Sequence, residues 1–190
     1  QLQHVDDEAY RGYLVSRVTG ALAQHGLVTE IREPHLSPPN SRRRASLRAL
    51  KVGGSAVIGF NAAKSHRIVD MRENHVLRPE LVNLVAPLRE LLSALLQPRR
   101  TGEIQLTLVD QGVDLSLTGV EPKGFEAMEA LTVFCESNRL ARLSIDQGLG
   151  PETLYEPVPA TITLSGFPVN FPVGGFLQAT QDGEDALVAC

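Results

Sequence analysis

The sequence has few of the residues that disulfide frameworks and metal centres require. It contains two cysteines, Cys135 and Cys190, which lie far apart in a chain of 190 residues and outside any paired-cysteine motif. Together they can form at most one bridge, so neither a disulfide framework nor a cysteine metal site is expected. The five histidines are scattered without the spacing of a ligand pair, and we predict no metal site in this chain.

Long apolar runs are also missing. No stretch approaches the roughly 18 to 20 apolar residues of a membrane-spanning helix. The first residues, QLQHVDDEAY, lack the charged start and apolar centre of a signal peptide. We therefore predict a cytoplasmic protein that does not enter a membrane. We also expect a monomer. Its 43% hydrophobic residues are enough to bury the core of one or two domains.

Catalytic motifs are absent as well. The glycines of LSGFPVNFPVGGF follow neither the GxGxxG pattern nor the P-loop pattern, and no set of nucleophile, base and oxyanion donor stands out. Asp110 and Asp114 flank an expected turn, and we ascribe both to turn chemistry. The last residues, QATQDGEDALVAC, are typical of a helix that opens at Thr180 and is cut short, so we interpret the chain as part of a longer polypeptide.

Hydrophobic periodicity predicts an α+β fold, with a largely antiparallel sheet and helices packed on it. Alternating segments predict one hairpin through Gly53 and Gly54, a third strand at RIVDM, and a second hairpin through Gln111 and Gly112. Further strands are expected at RLARLSID, TLYE and ATITLSG. Helices are expected in DDEAYRGYLVSRVTGALAQHG, RPELVNLVAPLRELLSALL and GFEAMEALTVFCESN.

What the sequence has in excess is positive charge in one segment of a chain whose formal net charge is -4. SRRRASLRAL concentrates arginines, and no carboxylate occurs in the segment 35–51. In a strand, residues two apart project to the same side, so Arg42, Arg44 and Arg48 are expected to share a face. Guanidinium groups bind phosphate through forked hydrogen bonds, which makes this face a candidate surface for an anionic, phosphate-bearing partner. The residues assigned to it are Arg42, Arg43, Arg44, Arg48, Lys51, Lys64 and Arg67.

Four segments occur in a definite order along the chain: QLQH, SRRRASL, IGFNAAKSHRIVDM and VGGFLQAT. In turn they resemble the segment after the CGGC motif, the YRRRARL-type strand, the hairpin ending in IVD and the Phe-x-Gln stretch of the bacterial RNA 5-methyluridine methyltransferases. The resemblance is to the central domain of that family and covers almost the whole chain.

The resemblance implies that the complete protein is an enzyme that methylates uracil in rRNA or tRNA, with S-adenosylmethionine as cofactor. It places residues 1–172 in a central RNA-recognition domain. Residues 173–190 then form the junction with a Rossmann-like methyltransferase domain, before which the chain is truncated. The family's cysteine nucleophile, base and cofactor loop would lie beyond Cys190, so this fragment alone is expected to be inactive.

Two residues near the junction are implied in the substrate and cofactor pocket. Phe176 and Gln178 occupy the positions whose family counterparts line the pocket for the target uracil and the cofactor. An aromatic ring there can stack on an extruded base, and an amide can read its polar atoms.

One position departs from the family pattern. Members with an iron–sulfur cluster take a fourth cysteine from the segment after the IVD strand, where this sequence reads MRENHVL and has Asn74 at the expected place. An amide is a poor substitute for a thiolate ligand, which makes the cluster doubtful in the complete protein.

Other interpretations of the same residues stay open at this point. A free-standing module that binds RNA or another anion without catalysis would need only the arginine strand. A purely structural interaction domain would explain the arginines as charges that protect a sheet edge and pair with acids on neighbouring strands.

Overall fold

The computed structural model describes residues 5–189, which form two compact units. The larger unit comprises residues 39–179, and the smaller one comprises the residues up to 38 together with those from 180 onward. The helices are α1 (Asp7–Gln24), α2 (Pro79–Leu95), α3 (Phe125–Ser137) and α4 (Gln181–Val188), and the strands are β1 (Arg44–Val52), β2 (Ser55–Asn61), β3 (Ile68–Asp70), β4 (Thr101–Val109), β5 (Gly112–Thr118), β6 (Arg142–Asp146), β7 (Pro151–Tyr155), β8 (Thr161–Leu164) and β9 (Phe167–Asn170).

The larger unit is built on a sheet of seven strands in the order β3-β2-β1-β4-β5-β6-β7. Its neighbouring strands run antiparallel, apart from β5 and β6, which run parallel. Parallel neighbours need a crossover connection, and here the connection contains α3. The two predicted hairpins are present, one turning at Gly53 and Gly54 and the other between Val109 and Gly112. The predicted α+β class with a largely antiparallel sheet is confirmed.

One face of this sheet is buried beneath α2 and α3. Leu47 of β1 lies opposite Ile104 of β4, and both side chains are almost inaccessible to solvent. α2 begins at Pro79, which is tolerated there because the first helical amides have no partner within the helix. The leucines of α2 complete the core, and burying each contributes about 1.5–3 kcal/mol. The polar residues that alternate with Leu47 along β1 are therefore left on the opposite face of the sheet.

A buried ion pair lies on that opposite face. Arg142 of β6 is paired in register with Asp114 of β5, and its Nε and Nη2 donate to the two carboxylate oxygens over 3.0 and 2.7 Å. Its Nη1 donates to the carbonyl oxygen of Phe171 over 2.9 Å and lies 3.4 Å from a carboxylate oxygen of Glu156. The hydrogen bonds with Asp114 raise the pKa of Arg142, so the guanidinium stays charged. This charge ties the segment that contains β8 and β9 to the sheet.

The two-stranded sheet of β8 and β9 has further attachments to the larger sheet, at the end of β4 and just before β6. The carboxylate of Asp110 accepts hydrogen bonds from the hydroxyl groups of Thr161 and Thr163 over 2.8 and 3.0 Å. A small apolar cluster joins the same elements, and its members are Val109, Ala141, Ala160, Ile162, Phe171 and Leu177.

The smaller unit is held by polar contacts. Asp6 caps α1 by accepting from the amide of Ala9, and no residue of α1 in the described chain is fully buried. Thr180 caps α4, as predicted, by accepting from the amide of Gly183. His35 Nε2 lies 2.6 Å from a carboxylate oxygen of Asp182, and this hydrogen bond lowers the pKa of that carboxyl. None of the described helices combines the length and apolarity needed to cross a membrane.

Two assignments of secondary structure differ from the sequence-based expectations. Asp114 is not a turn residue: it lies within β5, and burial beside Arg142 rather than turn chemistry accounts for it. β9 was not predicted, since Pro168 disfavours a strand assignment and is tolerated only in an edge strand such as this one. The QLQH segment and Cys190 lie outside the described residues.

We predict that Asp114→Ala lowers the free energy of unfolding by about 3–5 kcal/mol, because it leaves the charge of Arg142 buried without its main partner. Urea denaturation followed by circular dichroism measures the change. Glu90→Ala removes an exposed carboxylate and should change the free energy by no more than about 0.5 kcal/mol.

A double variant distinguishes the effect of the unpaired charge of Arg142 from the effect of lost side-chain packing. Replacing the pair together, as Asp114→Leu with Arg142→Met, should cost less than Asp114→Ala because no buried charge is left uncompensated. Wild-type stability in Asp114→Ala would refute the role given to this pair.

Candidate functional site

The pleat of the sheet divides the arginine segment between two environments. Arg44, Ser46 and Arg48 project from the face opposite the helices, whereas Arg43 is buried, with 7% of its surface exposed. Arg42 immediately precedes β1, is exposed, and donates from Nε to the carbonyl oxygen of Arg44 over 3.1 Å. Arg42 and Arg44 are thereby held next to each other.

These two arginines border a cleft of about 270 Å³ on the open face of the sheet. Strand register sets Arg44 opposite Thr107 and Ser46 opposite Gln105, so hydroxyl and amide groups adjoin the guanidinium groups. No carboxylate lines the cleft, which makes it suited to an anionic ligand. We call it the basic cleft, and its lining residues are Arg42, Arg44, Ala45, Ser46, Gln105, Leu106, Thr107, Gly174 and Gly175.

An exposed aromatic ring stands beside the basic cleft. Phe176 is 73% exposed, and the Cζ atom of Arg44 lies 4.8 Å from the centre of its ring. This separation is within the range of a cation–π interaction. The ring also borders a second, apolar cleft of about 190 Å³, with Ile162 and Val169 among its lining residues. A ring in this position can stack on a planar ligand such as a nucleobase.

Arg43 positions the segment that carries Phe176 and Gln178. Its backbone amide donates to the carbonyl oxygen of Ala179 over 2.8 Å, and its Nε donates to that of Gln178 over 3.1 Å. Its own carbonyl oxygen accepts from the amide of Leu108 over 2.8 Å. Arg43 therefore acts within the fold and is not part of the exposed basic surface, while Gln178 is half-buried beside it.

Two of the predicted basic residues lie away from the basic cleft. Arg48 is opposite Glu103 in the strand register and forms an ion pair with its carboxylate. Lys51 lies near the other end of β1, next to the turn at Gly53. The segment around Arg48 contains no carboxylate in sequence, but the neighbouring strand supplies one.

Lys64 and Arg67 are exposed in the connection between β2 and β3. β2 runs antiparallel to β1, with Gly59 opposite Arg48, so β2 ends beside the start of β1. The connection consequently lies at the same end of the sheet as Arg42. The structure thus brings Arg42, Arg44, Lys64 and Arg67 to one end of the sheet.

Asn74 and Cys135 both have a structural role in the fold. The Asn74 side-chain oxygen accepts from the amides of Val76 and Leu77 over 2.9 and 2.8 Å, which fixes the turn before α2. Cys135 is fully buried in α3, and burial raises the pKa of its thiol to about 12, so it is protonated at neutral pH and a poor nucleophile. Within residues 5–189, no group of three or more His, Cys, Asp or Glu side chains could hold a metal ion.

Three polar residues of the basic cleft were not singled out from the sequence: Ser46, Gln105 and Thr107. Gln105 and Thr107 alternate with buried residues in EIQLTLVD, which indicates that they face away from the core. Their place beside the arginines depends on the pairing of β1 with β4, which periodicity within one strand does not specify.

An open polar sheet face with adjacent guanidinium groups and an exposed aromatic ring is an arrangement suited to nucleic-acid backbones and bases. In comparisons with known proteins, no family model matches the chain, but several relatives do. An uncharacterized RNA methyltransferase of Zymomonas mobilis is 43% identical over 189 residues, which cover 99% of this chain and 48% of that protein. One from Brucella suis is 36% identical over 190 residues, which cover 99% of this chain and 44% of that protein.

A further relative has a more specific name. The 23S rRNA (uracil(1939)-C(5))-methyltransferase RlmD of Bordetella avium is 31% identical over 144 residues, which cover 70% of this chain and 29% of that protein. The chain spans about half the length of the Zymomonas and Brucella relatives. It belongs to the family of these RNA methyltransferases, and the resemblance found in the sequence is confirmed.

We predict that Cys135 resists alkylation by iodoacetamide at pH 8 in the folded chain, because its thiol is buried and protonated. The same thiol should react readily in urea. Mass spectrometry of the peptide that contains Cys135 follows this cysteine separately from Cys190. Fast labelling of Cys135 in the native chain would contradict its structural assignment.

Proposed function

We propose that this chain is the RNA-binding region of an S-adenosylmethionine-dependent RNA uracil-C5-methyltransferase. The basic cleft beside Phe176 is the observation that carries the proposal, and the rRNA methyltransferase among the relatives supports the choice of reaction. The substrate would be an rRNA or tRNA segment that contains the target uridine.

Within this proposal the basic residues have different roles. Arg42 and Arg44 bind phosphate groups in the basic cleft, and Lys64 and Arg67 extend the positive surface at the same end of the sheet. Arg48 contributes little because Glu103 already compensates its charge.

Phe176 and Gln178 would meet the base. The ring of Phe176 is exposed and held over Arg44, so it can stack on an unpaired base without a large rearrangement. Arg43 donates a hydrogen bond to the backbone carbonyl of Gln178. This contact orients the backbone from which the amide side chain of Gln178 projects. Base recognition and phosphate binding would thus take place side by side.

The methyl-transfer chemistry is proposed to occur in parts of the protein outside these residues. Cys135, the cysteine among residues 5–189, is buried and protonated and so does not suit a nucleophile. The basic cleft does not fit S-adenosylmethionine either, because the sulfonium of this donor is a cation that Arg42 and Arg44 would repel. We assign no residue of the described chain to nucleophilic attack, methyl transfer or proton removal, and the part of Phe176 and Gln178 is to bind the base.

We predict that the double variant Arg42→Ala/Arg44→Ala weakens binding of single-stranded RNA at least about tenfold at low salt. The slope of log affinity against log salt should become shallower by about 1.4, since each lost phosphate contact on a single strand removes about 0.7. Fluorescence anisotropy titrations at several salt concentrations measure both quantities.

The double variant Arg48→Ala/Lys51→Ala is the matched control. It removes the same number of positive charges from the same part of the chain but leaves the basic cleft intact, so its affinity and slope should stay close to those of the wild type. Equal losses in the two double variants would show that general charge, rather than the basic cleft, governs binding.

The proposed activity is tested with the full-length protein in a single-turnover assay of methyl transfer to uridine C5 in RNA. Gln178→Ala should reduce transition-state stabilisation by about 1–3 kcal/mol, the scale of a buried polar contact left unmade. Gln97→Ala, which changes an exposed amide in the connection before β4, should leave the rate unchanged. A wild-type protein that methylates neither rRNA nor tRNA at uridine C5 would refute the proposed function.

A further inference from the structure

The floor of the basic cleft carries a pair of polar side chains next to the arginines. Ser46 of β1 and Gln105 of β4 are directly opposite in the strand register, and both are exposed. Neither side chain hydrogen-bonds to another residue of the described range 5–189. Their hydrogen-bonding groups are therefore available to a ligand in the cleft.

The chemistry of this pair differs from that of the arginines. A guanidinium group only donates hydrogen bonds, which matches the acceptor oxygens of a phosphate. A serine hydroxyl and a glutamine amide can each donate and accept, which matches a ligand hydroxyl group that also does both. The cleft thus offers a site for an anion beside a site for a neutral hydroxyl.

The spacing of the two sites corresponds to neighbouring groups on one chain of RNA. Arg44 and Ser46 are two residues apart on the same face of β1, a separation of about 7 Å along the strand. Gln105 faces Ser46 across the strand pair, with about 5 Å between the two β-carbons. A phosphate bound at Arg44 would therefore place the ribose next to it within reach of both polar side chains.

We propose that Ser46 and Gln105 bind the ribose 2′-hydroxyl of the nucleotide whose phosphate is held by Arg42 and Arg44, and so select RNA over DNA. This inference rests on the proposed function, since it requires that the basic cleft binds a nucleic-acid backbone. It goes beyond that function by assigning sugar discrimination to two residues that do not contact the base. The 2′-hydroxyl is the group that distinguishes the two polymers at a given site.

The test compares three probes of the same length: a single-stranded oligouridylate, its 2′-deoxy counterpart and its 2′-O-methyl counterpart. Wild-type chain should bind the RNA probe at least about tenfold more tightly than either of the others, because each lacks the hydroxyl donor. In Gln105→Ala and Ser46→Ala, affinity for RNA should fall about three- to tenfold, while affinity for the deoxy probe should change less than twofold.

Two control variants test whether the preference for RNA depends on Ser46 and Gln105. Gln97→Ala removes an exposed amide outside the basic cleft and should preserve the preference for RNA. Arg44→Ala should weaken binding of all three probes by a similar factor, because phosphates are common to them. Since Ser46 and Gln105 are exposed, circular dichroism should show both variants to be folded.

The outcomes separate this inference from the proposed function. Equal binding of RNA and the deoxy probe by the wild type, weakened by Arg44→Ala, would overturn the 2′-hydroxyl assignment and leave nucleic-acid binding in place. An RNA preference that survives in both Gln105→Ala and Ser46→Ala would also overturn the assignment. Failure of the wild type to bind any of the probes would refute both.

Discussion

The candidate site depends on the hydrogen bonds and ion pairs that surround the buried guanidinium of Arg142. A charge at 4% exposure persists in a fold only when ionic and hydrogen-bonding partners surround it, and here they are Asp114, Glu156 and the carbonyl of Phe171. Two of these partners, Glu156 and Phe171, belong to the segment that contains β8 and β9. Satisfying one buried charge therefore fixes that segment on the sheet, and with it the start of the chain that leads to Phe176.

A second buried arginine completes the placement. Arg43 binds the backbone of residues 178 and 179, so the segment after β9 is held by one arginine at each end. Arg43 and Arg44 are neighbours in sequence, yet the pleat sends one into the fold and leaves the other over the ring of Phe176. The concentration of arginine in this stretch thus combines a structural residue with a residue available to a ligand, and a count of charges does not separate the two.

Features that depend on residues close together in the sequence could be predicted, whereas contacts between residues far apart in the sequence could not. The alternation within β1 and the two hairpins are local patterns, and periodicity and turn residues predicted them. Glu103 is 55 residues from Arg48, and Asp114 is 28 residues from Arg142, so those pairs arise only from strand order and register. Gln105 also lies beside Ser46 only because of the strand register. The polar half of the basic cleft could therefore not be predicted from the sequence.

The strand register also explains how an acidic chain can offer a site for phosphate. Arg44 and Arg48 are four residues apart on one face of β1, about 14 Å along the strand. That distance exceeds the screening length of about 8 Å at physiological ionic strength, so exposed charges at the two ends act almost independently. Glu103 compensates Arg48 at one end, whereas no carboxylate lines the basic cleft at the other. The net charge of -4 is therefore compatible with a positive local field at Arg42 and Arg44, the charge that the proposed binding of phosphate requires.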